Sequence, residues 1–158
     1  MASGITNKGI ASILKSAFQN QTTTPPTGYY LALVTSAASP SFDTNTWSQL
    51  SANEIPGLNG YTSNGQLFTA NTTNFPTLTE DDTNDLASIT LKDVTWTASG
   101  GSIPSSGSGA RYLILMDANG TPANREVIAW FDLQTDRSAS IGTDLTVASP
   151  KATFGRCG

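Results

Sequence analysis

The sequence contains no histidine. That removes the commonest general base, the commonest metal ligand and every Ser–His or Cys–His nucleophile pair. There is one cysteine, Cys157. A lone cysteine excludes an internal disulfide framework and, without histidine, leaves too few ligands for a zinc site. Charge is scarce as well: 13% of the residues are Asp, Glu, Lys or Arg, with a net charge of −4, against about 25% in a typical globular protein. No basic stripe is present, so a nucleic-acid backbone is not an expected partner. No apolar run approaches the roughly 18–20 residues that cross a bilayer as a helix. The opening stretch MASGITNKGIASILKSAF has one lysine before Ile10 and no extended apolar core, and is not expected to act as a secretory signal. No GxxxxGK[ST] run cradles a phosphate. The glycines of SGGSIPSSGSG, residues 99–109, read as a flexible connection.

Ser, Thr and Asn supply the polarity instead, a composition that suits strands, turns and contact surfaces. The chain has 158 residues, enough for one domain. A chain of roughly 150 residues buries about 68–70% of its unfolded surface, so one core suffices. Ile10, Ile13, Leu14, Ala17 and Phe18 recur at helical spacing within Thr6–Phe18. Thr6 or Asn7 can cap that helix. A helix of about 12 residues is marginal alone and must dock on its own domain or on a neighbour. TTTPPTG, residues 22–28, breaks it into an extended arm.

Strands are expected at Tyr29–Ser36, Tyr61–Ala70, Leu86–Thr97, Arg111–Asp117, Arg125–Leu133 and Asp144–Phe154. The inward parity of Leu86–Thr97 changes near Lys92-Asp93, which one bulge would explain. Arg111–Asp117 is the most apolar and reads as central. Ala118-Asn119-Gly120-Thr121 joins it to Arg125–Leu133 as a tight reversal. Pro150 marks an edge or a bulge in the last strand. The expected core includes Leu31, Leu33, Leu113, Leu115, Ile128 and Trp130. No strand–helix–strand alternation appears. The expected fold is therefore mainly β, an antiparallel, jelly-roll-like β-sandwich with a short N-terminal helix, in one domain spanning 1–158, with residues 1–27 as helix and arm and 28–158 as sandwich.

Few groups carry chemistry. Glu80, Asp81, Asp82 and Asp85 concentrate carboxylates of the kind that bind Ca²⁺, but their spacing departs from the D-x-[DN]-x-[DN]-G loop, and a solvated acidic turn is the simpler account. Glycosidase chemistry needs two carboxyls facing a sugar cleft, which neighbours in one loop do not define. No cofactor is expected. The long Ala37–Gly60 loop carries Phe42, Trp47, Leu50, Ile55 and Leu58, and that load predicts a loop that packs down. Trp47 is its candidate interface anchor, while Trp96 and Trp130 fall in strands and default to core. With Ile10, Leu14 and Phe18 of the helix, these five loop residues form the candidate contact surface. At the end of the loop, EIPGLNGY (residues 54–61) uses Pro56 and two glycines for tight turns. Tyr61 can enter the core with its hydroxyl partnered. Glu54 can accept loop amides or pair with an arginine such as Arg111.

In order, the chain presents an amphipathic helix (Ile10–Phe18), the Pro25-Pro26 bend, the strand Tyr30-Leu31-Ala32-Leu33-Val34-Thr35, and Glu54 with Gly60-Tyr61. Val94-Thr95-Trp96 and Leu113-Ile114-Leu115-Met116-Asp117 follow. This order resembles a group of small tailed-phage virion proteins. The resemblance implies a non-enzymatic structural protein made in the host cytoplasm and incorporated into the particle. Within it, the first expectation is a capsid cement or decoration protein, a homotrimer bound where major capsid subunits meet. The alternative is a minor tail or tail-fibre component that binds a host surface or glycan. A small β-sandwich hydrolase or lectin is the third class, and the missing histidine counts against most of its hydrolase forms.

Overall fold

A computed structural model of the chain describes residues 3–18 and 26–155. Thr22–Pro25 of the expected arm, the side chain of Ala17, and Cys157 lie outside the described residues.

The most apolar run becomes the middle of the main sheet. β7 (Ala110–Asp117) lies between β2 (Gly28–Val34) and β8 (Val127–Arg137), and β1 (Ser3–Ile5) and β3 (Gln66–Thr69) close the two edges. A second sheet has β5 (Leu86–Thr90) between β10 (Lys151–Phe154) and β4 (Thr77–Asp81). A third pairs β6 (Val94–Thr97) with β9 (Asp144–Val147). Every pairing is antiparallel. The fold is mainly β and sandwich-like, with one α-helix among the described residues, α1 (Asn7–Phe18), near the N-terminus.

Both faces of the main sheet are buried, which is why β2 and β7 read as continuous apolar runs. One face sets Leu31, Leu33, Leu113, Leu115, Ala129 and Phe131 against Leu91, which follows β5, and Val94, Trp96, Leu145 and Val147 of β6 and β9. The other face, Ala32, Val34, Ile114 and Met116, is covered by Trp47 and Leu50 from the long loop.

Several expectations change. Leu86–Thr97 is two strands in different sheets, not one bulged strand: the chain crosses over at Leu91–Asp93, and the parity change marks that crossing. Asp144–Phe154 also divides between two sheets, on either side of buried Pro150. The β7–β8 hairpin forms, but its connection runs from Ala118 to Glu126 and includes a 3₁₀ turn at Pro122–Asn124, so it is no two-residue reversal. The expected core residues Leu31, Leu33, Leu113 and Leu115 are buried, whereas Ile128 and Trp130 are only half-buried. Their shift has a local cause. Leu115 pairs with Ala129 and Met116 with Val127, so Ile128 is the extra residue of a bulge. Ala129, Phe131 and Leu133 point into the sandwich instead, and Val127 joins the outer-face cluster with Trp47.

The bulge also seats the helix. The Thr6 amide donates to the Ile128 carbonyl at 3.0 Å, and the Thr6 hydroxyl donates to the Val127 carbonyl. The same hydroxyl oxygen caps α1 by accepting the Gly9 amide at 2.9 Å. Gly9 is required at this contact, because a Cβ there would lie 2.5 Å from the Ile128 carbonyl oxygen.

Candidate functional site

The eight candidate contact residues separate into two sets. Trp47 is 1% exposed, and Leu50 and Ile55 are equally enclosed. These three are core. Trp47 is held by a 3₁₀ turn at Trp47–Gln49, where the Thr46 and Gln49 side chains cap each other's backbone. Its ring covers the outer face of the main sheet, and its indole N–H donates to Asn64 Oδ1 at 3.1 Å. A residue so covered offers no surface to a partner, which corrects the expectation that Trp47 anchors an interface. The loop packs down as its apolar load predicts, and it does so as a lid over its own sheet.

Phe42 and Leu58 remain on the surface, each 60% exposed. Phe42 stands edge-to-face on Trp130 at 5.2 Å, and its carbonyl accepts the Asn7 amide at the start of α1. Ile10, Leu14 and Phe18 are also exposed, Phe18 at 81%. The amphipathic helix therefore docks with its apolar stripe turned to solvent. Ile13, at 45% exposure, instead lines an open cleft of about 870 Å³ together with Lys8, Gly9, Ala11, Ser12 and Lys15. The cleft walls are largely apolar, with Tyr29 and Phe75 in edge-to-face contact at 5.4 Å. Asp117 and Glu126 stand at its edge, and Glu126 pairs with Lys8 at 3.1 Å. Asp117 accepts the Glu126 amide at 2.8 Å, and burial raises its pKa above the usual carboxylate value. Sequence reasoning missed this cleft because Tyr29, Phe75, Ile89, Leu115 and Phe154 meet only through the strand pairing.

EIPGLNGY forms a polar staple. The Tyr61 hydroxyl donates to Glu54 at 2.8 Å and accepts the Leu33 amide at 2.9 Å. The Asn64 amide donates to the same Glu54 oxygen at 2.6 Å. Burial lifts the Glu54 pKa above its ordinary value, opposed by these two hydrogen bonds and by the charge of Arg125. Burial beside Glu54 likewise drives the Tyr61 phenol upward. Arg111 is not the partner of Glu54. It pairs with Asp132 at 2.6 Å across the β7–β8 pair. The cation near Glu54 is Arg125, nearly enclosed, with its guanidinium 3.5 Å from the Tyr30 ring centre.

The acidic cluster is the β4–β5 turn. Asp81 spends its carboxylate within that turn, accepting the Thr83 and Asn84 amides and the Asn84 side chain. Those bonds hold its pKa below the usual value. Among the described residues, no group of three or more Asp, Glu, Cys or His is placed to hold a metal ion. Glu80, Asp81, Asp82 and Asp85 are exposed, and Lys151 lies beside them. The arrangement is that of a solvated turn.

No protein-family model, curated protein or solved structure matches this chain.

Proposed function

We propose that this chain is a non-enzymatic structural component of a tailed-phage particle, a cement or decoration protein that binds where capsid subunits meet and stabilises the head. The proposal takes its biological class from the resemblance in feature order. The observation that carries it is the outward apolar stripe of α1. A globular domain that needed the helix only for its own core would turn Ile10, Leu14 and Phe18 inward. Here they face solvent, with Phe42 and Leu58 exposed elsewhere on the surface. Exposed apolar area of this kind marks a surface that is covered in an assembly. Phe42 adjoins the start of this helix through the Asn7 amide bond to its carbonyl, so the exposed apolar surface is continued there.

The glycan-binding form of the tail-fibre alternative is less well supported. Stacking on sugars calls for an open aromatic face. Trp47 and Trp96 are buried, and Trp130 packs against Phe42 and over Gly4.

Co-sedimentation tests the proposal. Purified protein, mixed separately with heads and with tails of the parent phage, should pellet with heads at a saturable stoichiometry. Substituting Phe42→Ser together with Leu58→Ser should weaken binding without unfolding the protein. Binding to tails alone, or to neither, overturns the capsid assignment.

A further inference from the structure

We propose that Asn119 is a site of spontaneous covalent modification, where the folded chain loses a side-chain amide and gains a carboxylate, while two other Asn-Gly pairs are held unreactive by the fold. The chain has three such pairs, Asn59-Gly60, Asn64-Gly65 and Asn119-Gly120. In each, the glycine amide nitrogen can attack the asparagine Cγ, because glycine has no side chain to obstruct the approach. A new N–Cγ bond closes a cyclic imide. The side-chain nitrogen leaves as ammonia, taking the proton that the attacking nitrogen gives up. Water then adds to one of the imide carbonyls. Opening one C–N bond leaves aspartate, and opening the other leaves isoaspartate, in which the main chain runs through the side-chain carbonyl. No oxidant or cofactor enters.

Closing the ring swings the Asn-Gly peptide about the asparagine Cα–C bond, so hydrogen bonds on that peptide oppose it. Asn64 is held in this way. The Gly65 amide, which would be the nucleophile, donates to the Thr62 carbonyl at 3.0 Å. The Asn64 carbonyl accepts from Arg125 at 3.4 Å, and its side-chain oxygen accepts the Trp47 indole at 3.1 Å. Gly65 is buried, and its Cα packs against the Leu31 carbonyl. Asn59 is held similarly. Its carbonyl accepts the Ser99 amide at 2.9 Å, and its side-chain nitrogen donates to the Ser102 carbonyl at 2.9 Å. Gly60 packs against the Thr97 carbonyl. Both asparagines are fixed in the left-handed conformation, at φ +57° and +67°.

Asn119 differs on each count. It is exposed in the β7–β8 connection and is not left-handed. Among the described residues, neither its carbonyl nor the Gly120 amide has a hydrogen-bond partner. A Cβ on Gly120 would meet nothing within 4 Å, so the peptide has room to turn. The backbone and side-chain amides of Asn119 hydrogen-bond to the Asp117 carboxyl. Those bonds engage the Asn119 N–H, which stays in place as the peptide swings, and the nitrogen that leaves. They do not touch the attacking nitrogen, and water competes for the side-chain contact on an exposed residue. The product adds a carboxylate to a cleft rim that already holds Asp117 and Glu126. Like charges there disfavour one another's ionised forms. Hydrolysis does not restore the amide, so the change accumulates with the age of each molecule.

The test follows the full chain at mildly alkaline pH, over the time in which a urea-unfolded sample converts half of its Asn-Gly pairs. Proteolysis and mass spectrometry read the amide-to-acid change at each pair. Cleavage after Arg111 and Arg125 releases residues 112–125, and fragment spectra separate Asn119 from Asn124 within that peptide. The unfolded chain should convert all three pairs at similar rates. In the folded chain, Asn119 should convert roughly tenfold or more faster than Asn59 and Asn64, because reaction at either of those needs a local opening that breaks several hydrogen bonds. A folded chain in which Asn59 or Asn64 reacts as fast as Asn119 overturns the proposal. So does one in which Asn119 stays intact while the unfolded sample converts.

Discussion

The Tyr61 hydroxyl sits between Glu54 Oε1 at 2.8 Å and the Leu33 amide at 2.9 Å, and so ties the long loop to the central sheet. Tyr61→Phe keeps the ring in the core but leaves a buried amide without its acceptor and Glu54 without one donor. An orphaned buried polar group costs about 1–3 kcal/mol. Chemical denaturation should show a loss of that size with an unchanged slope. An unaltered midpoint would mean that water replaces the hydroxyl and the staple is dispensable.

Glu54 has a folded-state pKa above its ordinary value near 4.5, chiefly because it is buried. Its contribution to stability is therefore complete below the unfolded value and falls away as pH rises through the folded one. Glu54→Gln keeps an acceptor for Tyr61 and Asn64 and removes the titration. Wild type should lose stability relative to this variant as pH rises above the ordinary carboxylate value near 4.5. A gap between their melting temperatures that stays flat as pH rises, or that changes in the opposite sense, would contradict the burial-dominated environment.

Trp47 covers the outer face of the main sheet, so its removal should act on folding. Trp47→Ala should cost about 3–5 kcal/mol of stability, the usual range for truncating a buried aromatic. The check is equilibrium unfolding at several protein concentrations. A variant of normal stability whose only defect is weaker association would return Trp47 to the interface.

Gly9→Ala inverts a familiar rule. In an exposed helix interior, alanine is favoured over glycine by about 1 kcal/mol. Here the added Cβ would meet the Ile128 carbonyl at 2.5 Å. We expect α1 to detach while the sheets remain folded, seen as faster amide exchange confined to α1. Slower exchange there would show that the bulge can yield to a larger residue.

The strands that could be read from sequence are those whose apolar residues dominate locally. β2, β7 and β8 are long runs buried by their neighbours; the end of β7 falls at Asp117 as expected, and the other boundaries differ by one to four residues. β4 was not legible, because every residue of Thr77–Asp81 is exposed and no alternation distinguishes it from loop. The division of Leu86–Thr97 was visible only as a change of parity, and a bulge and a change of sheet produce the same local pattern. Trp47 illustrates a different limit. Its burial depends on Ala32, Val34, Ile114 and Met116, which lie far away in sequence. The outward stripe of α1 was equally hidden, since periodicity shows that a helix has an apolar face but not which way the face turns. The cap was legible, because Thr6 acts through its own local chain.

A cryo-EM map of the parent phage particle tests the central claim most directly. The account predicts density for a ten-stranded sandwich on the head, at junctions between capsid subunits, with copies grouped about a symmetry axis and no free apolar stripe on α1. A particle whose heads carry no such density at full occupancy, with this chain found on the tail or absent from the virion, would contradict it.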